Sequence, residues 1–374
     1  MSPENNPVDE EAPSRLRRWL APRLLSWFVL HRRDLPWRRD RDPYRIWVSE
    51  VMLQQTQVAT VIGFFERFVA CFPTLLDLAK ADEQEVLRLW EGLGYYRRAR
   101  DLLAAARRLV ADHAGKFPSD PVALAELPGM GDYTRNAVLS QAFDLRLPIL
   151  EANTQRLLSR LFGCEADPRQ GPARRRLWQV AEQILPSKRV GDFNQALMEL
   201  GALVCTSATP NCADCPLALR CQAFQTGRQN EIPRKSPPPE TTYVQESAVV
   251  IQRQGKVLIV QRPAAGRWAR LWEFPHGPLD EGESHEGAAL RIALRVGLDI
   301  ALGPELLTII HGVTRFHITL VCFEAEYRGG EFASDIYPQA AWVEPTKLGE
   351  YPVSSPQRRL ASHLTRPDPQ RRLF

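Results

Sequence analysis

Four cysteines crowd into seventeen residues with the spacing Cys205-x₆-Cys212-x₂-Cys215-x₅-Cys221. Thiolates are soft ligands, and four in one loop are enough to saturate either a tetrahedral zinc or an iron–sulfur cluster. Pro216 after the third cysteine and the absence of paired C-x₂-C knuckles favour the cluster, while the spacing by itself leaves both metals open. Either metal would be structural, because the protein fills all four positions and none is left for a substrate. Cys71, Cys164 and Cys322 stand singly in apolar surroundings and read as small buried side chains rather than as part of a disulfide framework.

A second chemical feature is Leu127-Pro-Gly-Met-Gly131, followed by Asp132-Tyr-Thr-Arg-Asn-Ala-Val-Leu. It has the form of a helix, a glycine-rich hairpin at Gly129 and Gly131, and a second helix whose first backbone N–H groups can cradle a phosphate. A Pro-Gly-x-Gly turn alone is often only a turn. The charge distribution bears on this: the formal net charge is +4, but residues 12–225 carry 30 basic and 23 acidic groups, a balance of +7, while residues 226–374 carry 18 and 17. The basic half is almost all arginine, which suits bidentate phosphate contacts, although such an excess also fits a solvated surface.

The elements that must position these groups follow from periodicity. Apolar residues recur at three- and four-residue spacing in Leu16–Leu30, Ile46–Phe72, Glu83–Leu89, Leu102–His113, Thr134–Phe143 and Arg174–Leu185, with prolines and glycines between them. The first half is therefore expected to be all-α over residues 14–226, after an acidic disordered tail at 1–13. Residues 227–246, with Pro233, Pro237, Pro238 and Pro239, read as a stiff linker. Short β-rich runs follow at Ala248–Gln252, Val257–Gln261, Thr308–His311, His317–Glu326 and Ala341–Val343, with one helix over Glu286–Val296, so residues 247–374 are expected to form a smaller α+β domain. At 374 residues the chain holds two or three domains at roughly 150 residues each. No apolar run reaches the ~18 residues of a membrane span, and the acidic N-terminus lacks the basic start and apolar core of a signal peptide, so a cytoplasmic, nucleoid-associated protein is expected.

The hairpin, the four-cysteine loop and the segment Trp47-Val-Ser-Glu-Val-Met-Leu-Gln-Gln-Thr-Gln57 together resemble the helix-hairpin-helix DNA glycosylases of the endonuclease III-like superfamily, and among them the MutY-type adenine DNA glycosylases. Leu35-Pro-Trp37, Gly92-Leu-Gly-Tyr-Tyr96 and Phe193-Asn-Gln-Ala196 are similar to that family's segments in the same order. The resemblance covers nearly the whole chain, and it implies a [4Fe–4S] cluster on Cys205, Cys212, Cys215 and Cys221.

It also implies roles. Glu50 matches the general acid that protonates the departing adenine; adenine is a poor leaving anion, and a carboxyl held among apolar residues keeps its proton toward neutral pH. The family's Asp-Gly-Asn, whose Asp stabilises or attacks the oxocarbenium-like sugar, is here Glu151-Ala152-Asn153. The acid is kept but one methylene longer, and loss of the glycine removes easy access to positive φ. Bifunctional members carry a Schiff-base lysine at the position resembling Tyr133, so a monofunctional enzyme that leaves the strand uncut is expected. Gln55 and Tyr95 match the residues that wedge into the base stack; Trp37, Arg38 and Leu53, with Gln54 beside them, match the adenine pocket, and Gln195 lies in the matching Phe193–Ala196 segment.

The C-terminal domain resembles a Nudix hydrolase through Gly266-Arg-Trp-Ala-Arg-Leu-Trp-Glu-Phe-Pro-His-Gly277, with Glu283 and Arg291 in register. Where that box has Arg-Glu and Glu-Glu this chain has Arg291-Ile292 and Arg295-Val296, so the metal-binding acids are lost and hydrolysis there is not expected. In the MutY-type family such a domain reads 8-oxoguanine through a Phe-Ser-His loop, which corresponds here to Val313-Thr314-Arg315. The expected partner is double-stranded DNA with adenine opposite 8-oxoguanine or guanine, bound by a monomer, in base-excision repair. Two other readings stay open: an endonuclease-III-like glycosylase for oxidised pyrimidines, and a lesion-binding protein whose altered Glu151 has cost it catalysis. Hydrolysis of free nucleotides by the second domain is disfavoured by its missing acids.

Overall fold

The computed structural model describes residues 11–234, 236–237 and 240–365. Most of the expected acidic tail lies outside them, and its last three residues belong to the first helix. Along the chain run α1 (Glu11–His31), α2 (Pro43–Leu53), α3 (Val58–Cys71), α4 (Leu75–Lys80), α5 (Glu83–Trp90), α6 (Arg97–His113), α7 (Pro121–Ala125), α8 (Asp132–Phe143), α9 (Ala152–Leu161), α10 (Gly171–Gln183), α11 (Val190–Leu203) and α12 (Gln222–Gln225). No helix of the described residues is long and apolar enough to cross a membrane.

Two compact units divide the molecule: one holds the chain up to Ala79 together with Ala104–Pro237, the other Lys80–Leu103 together with the described residues beyond Pro237. Helices run through the region expected to be all-α over 14–226, and within it α5 and the start of α6 pack with the C-terminal residues through polar contacts no periodicity announces. In the first unit, α1, α9, α10 and α11 close around Leu20, Leu24, Phe28, Leu158, Leu177, Phe193, Leu197 and Leu200, all nearly or fully buried. Each such side chain contributes about 1.5–3 kcal/mol.

The helix expected over Ile46–Phe72 is two helices. Asp42 caps α2 by accepting from the Tyr44 N–H, and Pro43 sits at its first position. After Leu53 the backbone leaves the helix, Gln55 takes a left-handed φ of 59°, and α3 starts only at Val58. With neither Gly nor Pro in Gln54–Gln57, the break was invisible to breaker rules. Downstream, α7, the turn through Gly129 (φ 71°) and α8 form the expected hairpin, with Gly131 as the α8 N-cap.

The second unit contains one mixed sheet of β1 (Thr242–Arg253), β2 (Lys256–Gln261), β3 (Trp272–Glu273), β4 (His276–Pro278), β5 (Leu298–Val313), β6 (Phe316–Gly330) and β7 (Gln339–Val343), in the order β3-β2-β1-β6-β5, with β4 beside β1 and β7 beside β2. β1 and β6 run parallel and β5 and β6 antiparallel. Helices α13 (His285–Arg295) and α14 (Ser355–Thr365) cover opposite faces. Ala248 and Val250 of β1 face the α14 side, Val249 and Ile251 the α13 side, so the strand reads as a continuous apolar run. β1 begins at Thr242, inside the stretch read as linker, and β5 is far longer than the expected Thr308–His311. Gly303, Pro304 and Glu305 break its apolar pattern, and the structure absorbs them in register shifts around Leu302–Leu307.

Candidate active site

An open cavity in the first unit is lined by Trp37, Arg38, Glu50, Leu53, Gln54, Gln55, Tyr133, Gln141, Glu151, Asn153, Gln195, Met198 and Glu199, among others. Four separate stretches of chain supply them: the turn before α2, the end of α2 with the break after it, α8 through the start of α9, and α11. A buried carboxyl is among them. Glu50 is only 4% exposed, one oxygen accepting from Gln141 Nε2 at 2.8 Å and the other from the Tyr133 hydroxyl at 2.6 Å. Burial raises its pKa, and the two donors and the Arg38 charge take back only part of that rise. The Tyr133 phenol, also buried and facing Glu50, is pushed well above its ordinary value, so it stays a neutral donor.

Glu151 is the N-cap of α9. Its two oxygens accept from the N–H groups of Asn153 (2.7 Å) and Thr154 (2.8 Å), while its own N–H donates to Thr154 Oγ1 at 2.8 Å, a reciprocal capping box. Burial raises this carboxyl as well; the two N–H donors and Arg156 oppose the rise, and the Glu50 charge adds to it. Ala152 begins an ordinary helix, so this site does not need the conformational freedom a glycine would supply. Asn153 is held in turn by Arg156, which donates to Asn153 Oδ1 at 2.9 Å and to the carbonyls of Gly201 and Cys205. A side chain at Gly201 would meet the Asn153 Cβ at 2.8 Å, so only glycine fits there.

The remaining expected residues fall into distinct settings. Trp37 is buried edge-on against Phe65, and Gln54 donates to Thr134 Oγ1 at 3.1 Å. Arg38 lines the cavity, but its guanidinium is committed to Glu199 at 2.9 Å, which also takes a bidentate pair from Arg33. Burial alone would raise the Glu199 carboxyl; the two arginines outweigh it and hold it at about 2. Gln55 is exposed at the strained break. Gly129 and Gly131 form the hairpin and do not line the cavity. Tyr95, Thr314 and Arg315 belong to the second unit: Tyr95 is half exposed with φ 47°, and Thr314 turns the β5–β6 hairpin with φ 54°. Sequence reasoning missed Gln141, Met198, Arg33 and Glu199. A single polar residue inside an apolar helical run, as in Ser140-Gln141 or Met198-Glu199, was the available signal.

The four clustered cysteines line one cavity with Leu157, Arg160 and Leu217. Arg160 Nη1 lies 3.3 Å from Cys205 Sγ. Among the described residues no three His, Cys, Asp or Glu side chains converge closely enough for a single metal ion. On α13, Ile292 and Val296 are packed in the core and Arg295 faces Asp335 at 3.7 Å, so the Nudix acids have no counterpart there.

Residues 48–183 match the HhH-GPD superfamily of base excision DNA repair proteins, and residues 247–363 match the NUDIX domain. The adenine DNA glycosylase of Rattus norvegicus is 35% identical over 394 residues, covering 90% of this chain and 76% of the relative. That of Homo sapiens is 34% identical over 401 residues, covering 90% and 72%. The solved structure of a thermostable thymine-DNA glycosylase matches 57% of this chain and 99% of its own with 29% identity and a TM-score of 0.52. A helical base-excision glycosylase domain followed by a Nudix-like domain, with this identity over most of the length, places the chain in the adenine DNA glycosylase family.

Proposed function

We propose that the protein hydrolyses the N-glycosidic bond of adenine opposite 8-oxoguanine or guanine, without cutting the strand. The carrying observation is the buried Glu50 carboxyl, which lines an open cavity, is kept protonatable by burial and is held by two neutral donors. With the nucleotide flipped out, Glu50 gives its proton to the purine ring as the bond electrons pass to adenine. Glu151 faces the positive charge left on the sugar, and water adds to the anomeric carbon, releasing a proton. Tyr133 stands where a Schiff-base amine would be needed and its phenol is engaged with Glu50, which supports monofunctional chemistry and disfavours the oxidised-pyrimidine alternative. Retention of Glu151 in the cavity disfavours the inactive lesion-binding reading.

The resemblance supplies the other roles in this reading. Trp37, Leu53, Gln54 and Gln195 form the base pocket, with Arg38 fixed behind it; Gln55 and Tyr95 are the exposed wedge residues; the N–H groups at Gly129 and Gly131 receive a backbone phosphate; Thr314 and Arg315 read the lesion base. The donor set Cys205, Cys212, Cys215 and Cys221 fits a [4Fe–4S] cluster: four soft thiols within one loop line a shared cavity, the ligand number and type such a cluster takes. Bound, the cluster would tie the 205–221 loop together as a structural element.

The test is single-turnover base release from duplexes carrying adenine opposite 8-oxoguanine, guanine or thymine, for wild type and Glu50→Gln. Release opposite 8-oxoguanine and guanine, no strand break before alkali, and loss in the variant are expected. Binding of the 8-oxoguanine duplex without release would overturn the reading in favour of a lesion-binding protein.

A further inference from the structure

Tyr95 sits in a backbone that does not hold itself. Gly92 has φ 103°, Gly94 φ 70° and Tyr95 φ 47°, three positive values in four residues, the last on a bulky side chain that disfavours this region. Such a turn persists only where its surroundings fix it. On the inner side, Arg98 donates to the carbonyls of Leu93 and Gly94 and lies over the rings of Trp90 and Tyr95. The outer side is held from more than 250 residues away in sequence. Glu91 receives a bidentate pair from Arg358 of α14, 2.6 Å to Oε1 and 2.9 Å to Oε2, and the Tyr96 hydroxyl donates to the Val353 carbonyl at 3.1 Å. Arg358 is itself fixed by donating to the carbonyls of Leu348 and Tyr351.

The same segment reaches the β5–β6 hairpin by a second route. Arg100 donates to the Ala264 carbonyl at 2.9 Å, and three residues on, Arg267 lies over the Phe316 ring at 4.8 Å, next to Thr314 and Arg315. Gln84 accepts from Trp272 Nε1 at 3.0 Å and anchors the start of α5. The loop bearing Tyr95 and the hairpin bearing Thr314 and Arg315 therefore belong to one packed body.

We propose that Glu91 and Arg358 are positioning residues that clamp the Tyr95 loop to the Nudix-like sheet, so that contact of the hairpin with an oxidised purine sets the wedge for base extrusion. This rests on the wedge and lesion roles proposed above. Bidentate guanidinium–carboxylate geometry fixes orientation as well as distance, which a strained loop needs. Without the clamp, extrusion loses the part of its drive that depends on the opposing base, while the part common to any mispair remains.

The experiment compares single-turnover adenine release opposite 8-oxoguanine and opposite guanine for wild type, Arg358→Met, Tyr96→Phe and the exchanged pair Glu91→Arg/Arg358→Glu, in the full chain. The rate ratio between the two duplexes should fall about tenfold in Arg358→Met, the scale of a typical coupling between sites. It should fall less in Tyr96→Phe and recover partly in the exchanged pair, while release opposite guanine is retained. Parallel loss on both duplexes would show a merely structural role, and an unchanged ratio would remove the coupling; either overturns the proposal. If Arg358→Met does not fold, Tyr96→Phe decides by the same criterion. Wild type that releases no adenine from either duplex would instead overturn the underlying reading.

Discussion

The Tyr133 hydroxyl lies 2.6 Å from Glu50 Oε2, across two helices and 83 residues of chain. The phenol thus donates to the carboxylate proposed as the general acid. A donor to the ionised form favours ionisation, so Tyr133 tempers the rise that burial imposes on Glu50.

From that balance comes a pH signature. In the role proposed for it Glu50 works as its protonated form, so base release should fall as pH rises through its elevated pKa. Tyr133→Phe deletes a donor to the carboxylate, which raises that pKa further and moves the alkaline limb to higher pH. Glu50→Gln should lose about 10²- to 10⁴-fold and leave no limb. Single-turnover rates across pH measure all three, and a limb that moves down in Tyr133→Phe would contradict the arrangement.

Substitutions separate the helix cap seen at Glu151 from the chemical role proposed for it. Glu151→Ala removes the cap of α9, costing about 1 kcal/mol and a few degrees in Tm, and removes the charge proposed to face the sugar. Glu151→Asp caps equally well, so its Tm should match wild type, with base release within about tenfold because the shorter acid keeps the charge. Thermal melts paired with single-turnover rates separate the jobs; full activity in Glu151→Ala would exclude a chemical role.

The Arg33–Glu199–Arg38 group makes a stability prediction. Glu199→Ala strands two guanidinium groups and should destabilise the fold by about 3–5 kcal/mol in urea titrations at neutral pH. The Glu199 carboxyl drops from 4.5 to about 2 on folding. Its contribution is therefore fully present above pH 4.5 and is lost as pH falls toward about 2. Glu199→Gln should show no such component, and an identical acid profile in the two proteins would sink the assignment.

Purified protein should be coloured and hold about four iron atoms per chain. Cys212→Ser should lower the iron content and visible absorbance and reduce Tm, because the loop over 205–221 loses a tether. Colourless protein with one zinc per chain would refute the cluster.

What the sequence determined by itself were the features written in local spacing. Four cysteines in seventeen residues, a Pro-Gly-Met-Gly turn between helices, the change from three- and four-residue periodicity to β-rich runs beyond residue 246, and the missing acids at Ile292, Arg295 and Val296 all depend on neighbours in the chain. Glu50 and Glu151 were nameable only through resemblance; nothing local marks a glutamate in a helix as buried. The tertiary structure decided the rest, because it depends on contacts between distant residues. It broke α2 from α3 at Gln55 without a glycine or proline, brought Gln141 and Tyr133 onto the two oxygens of Glu50, committed Arg38 to Glu199, and turned Glu151 into a helix cap. It also joined Glu91 to Arg358. Periodicity reports which face of an element is apolar, but not which polar side chain, scores or hundreds of residues away, will meet it there.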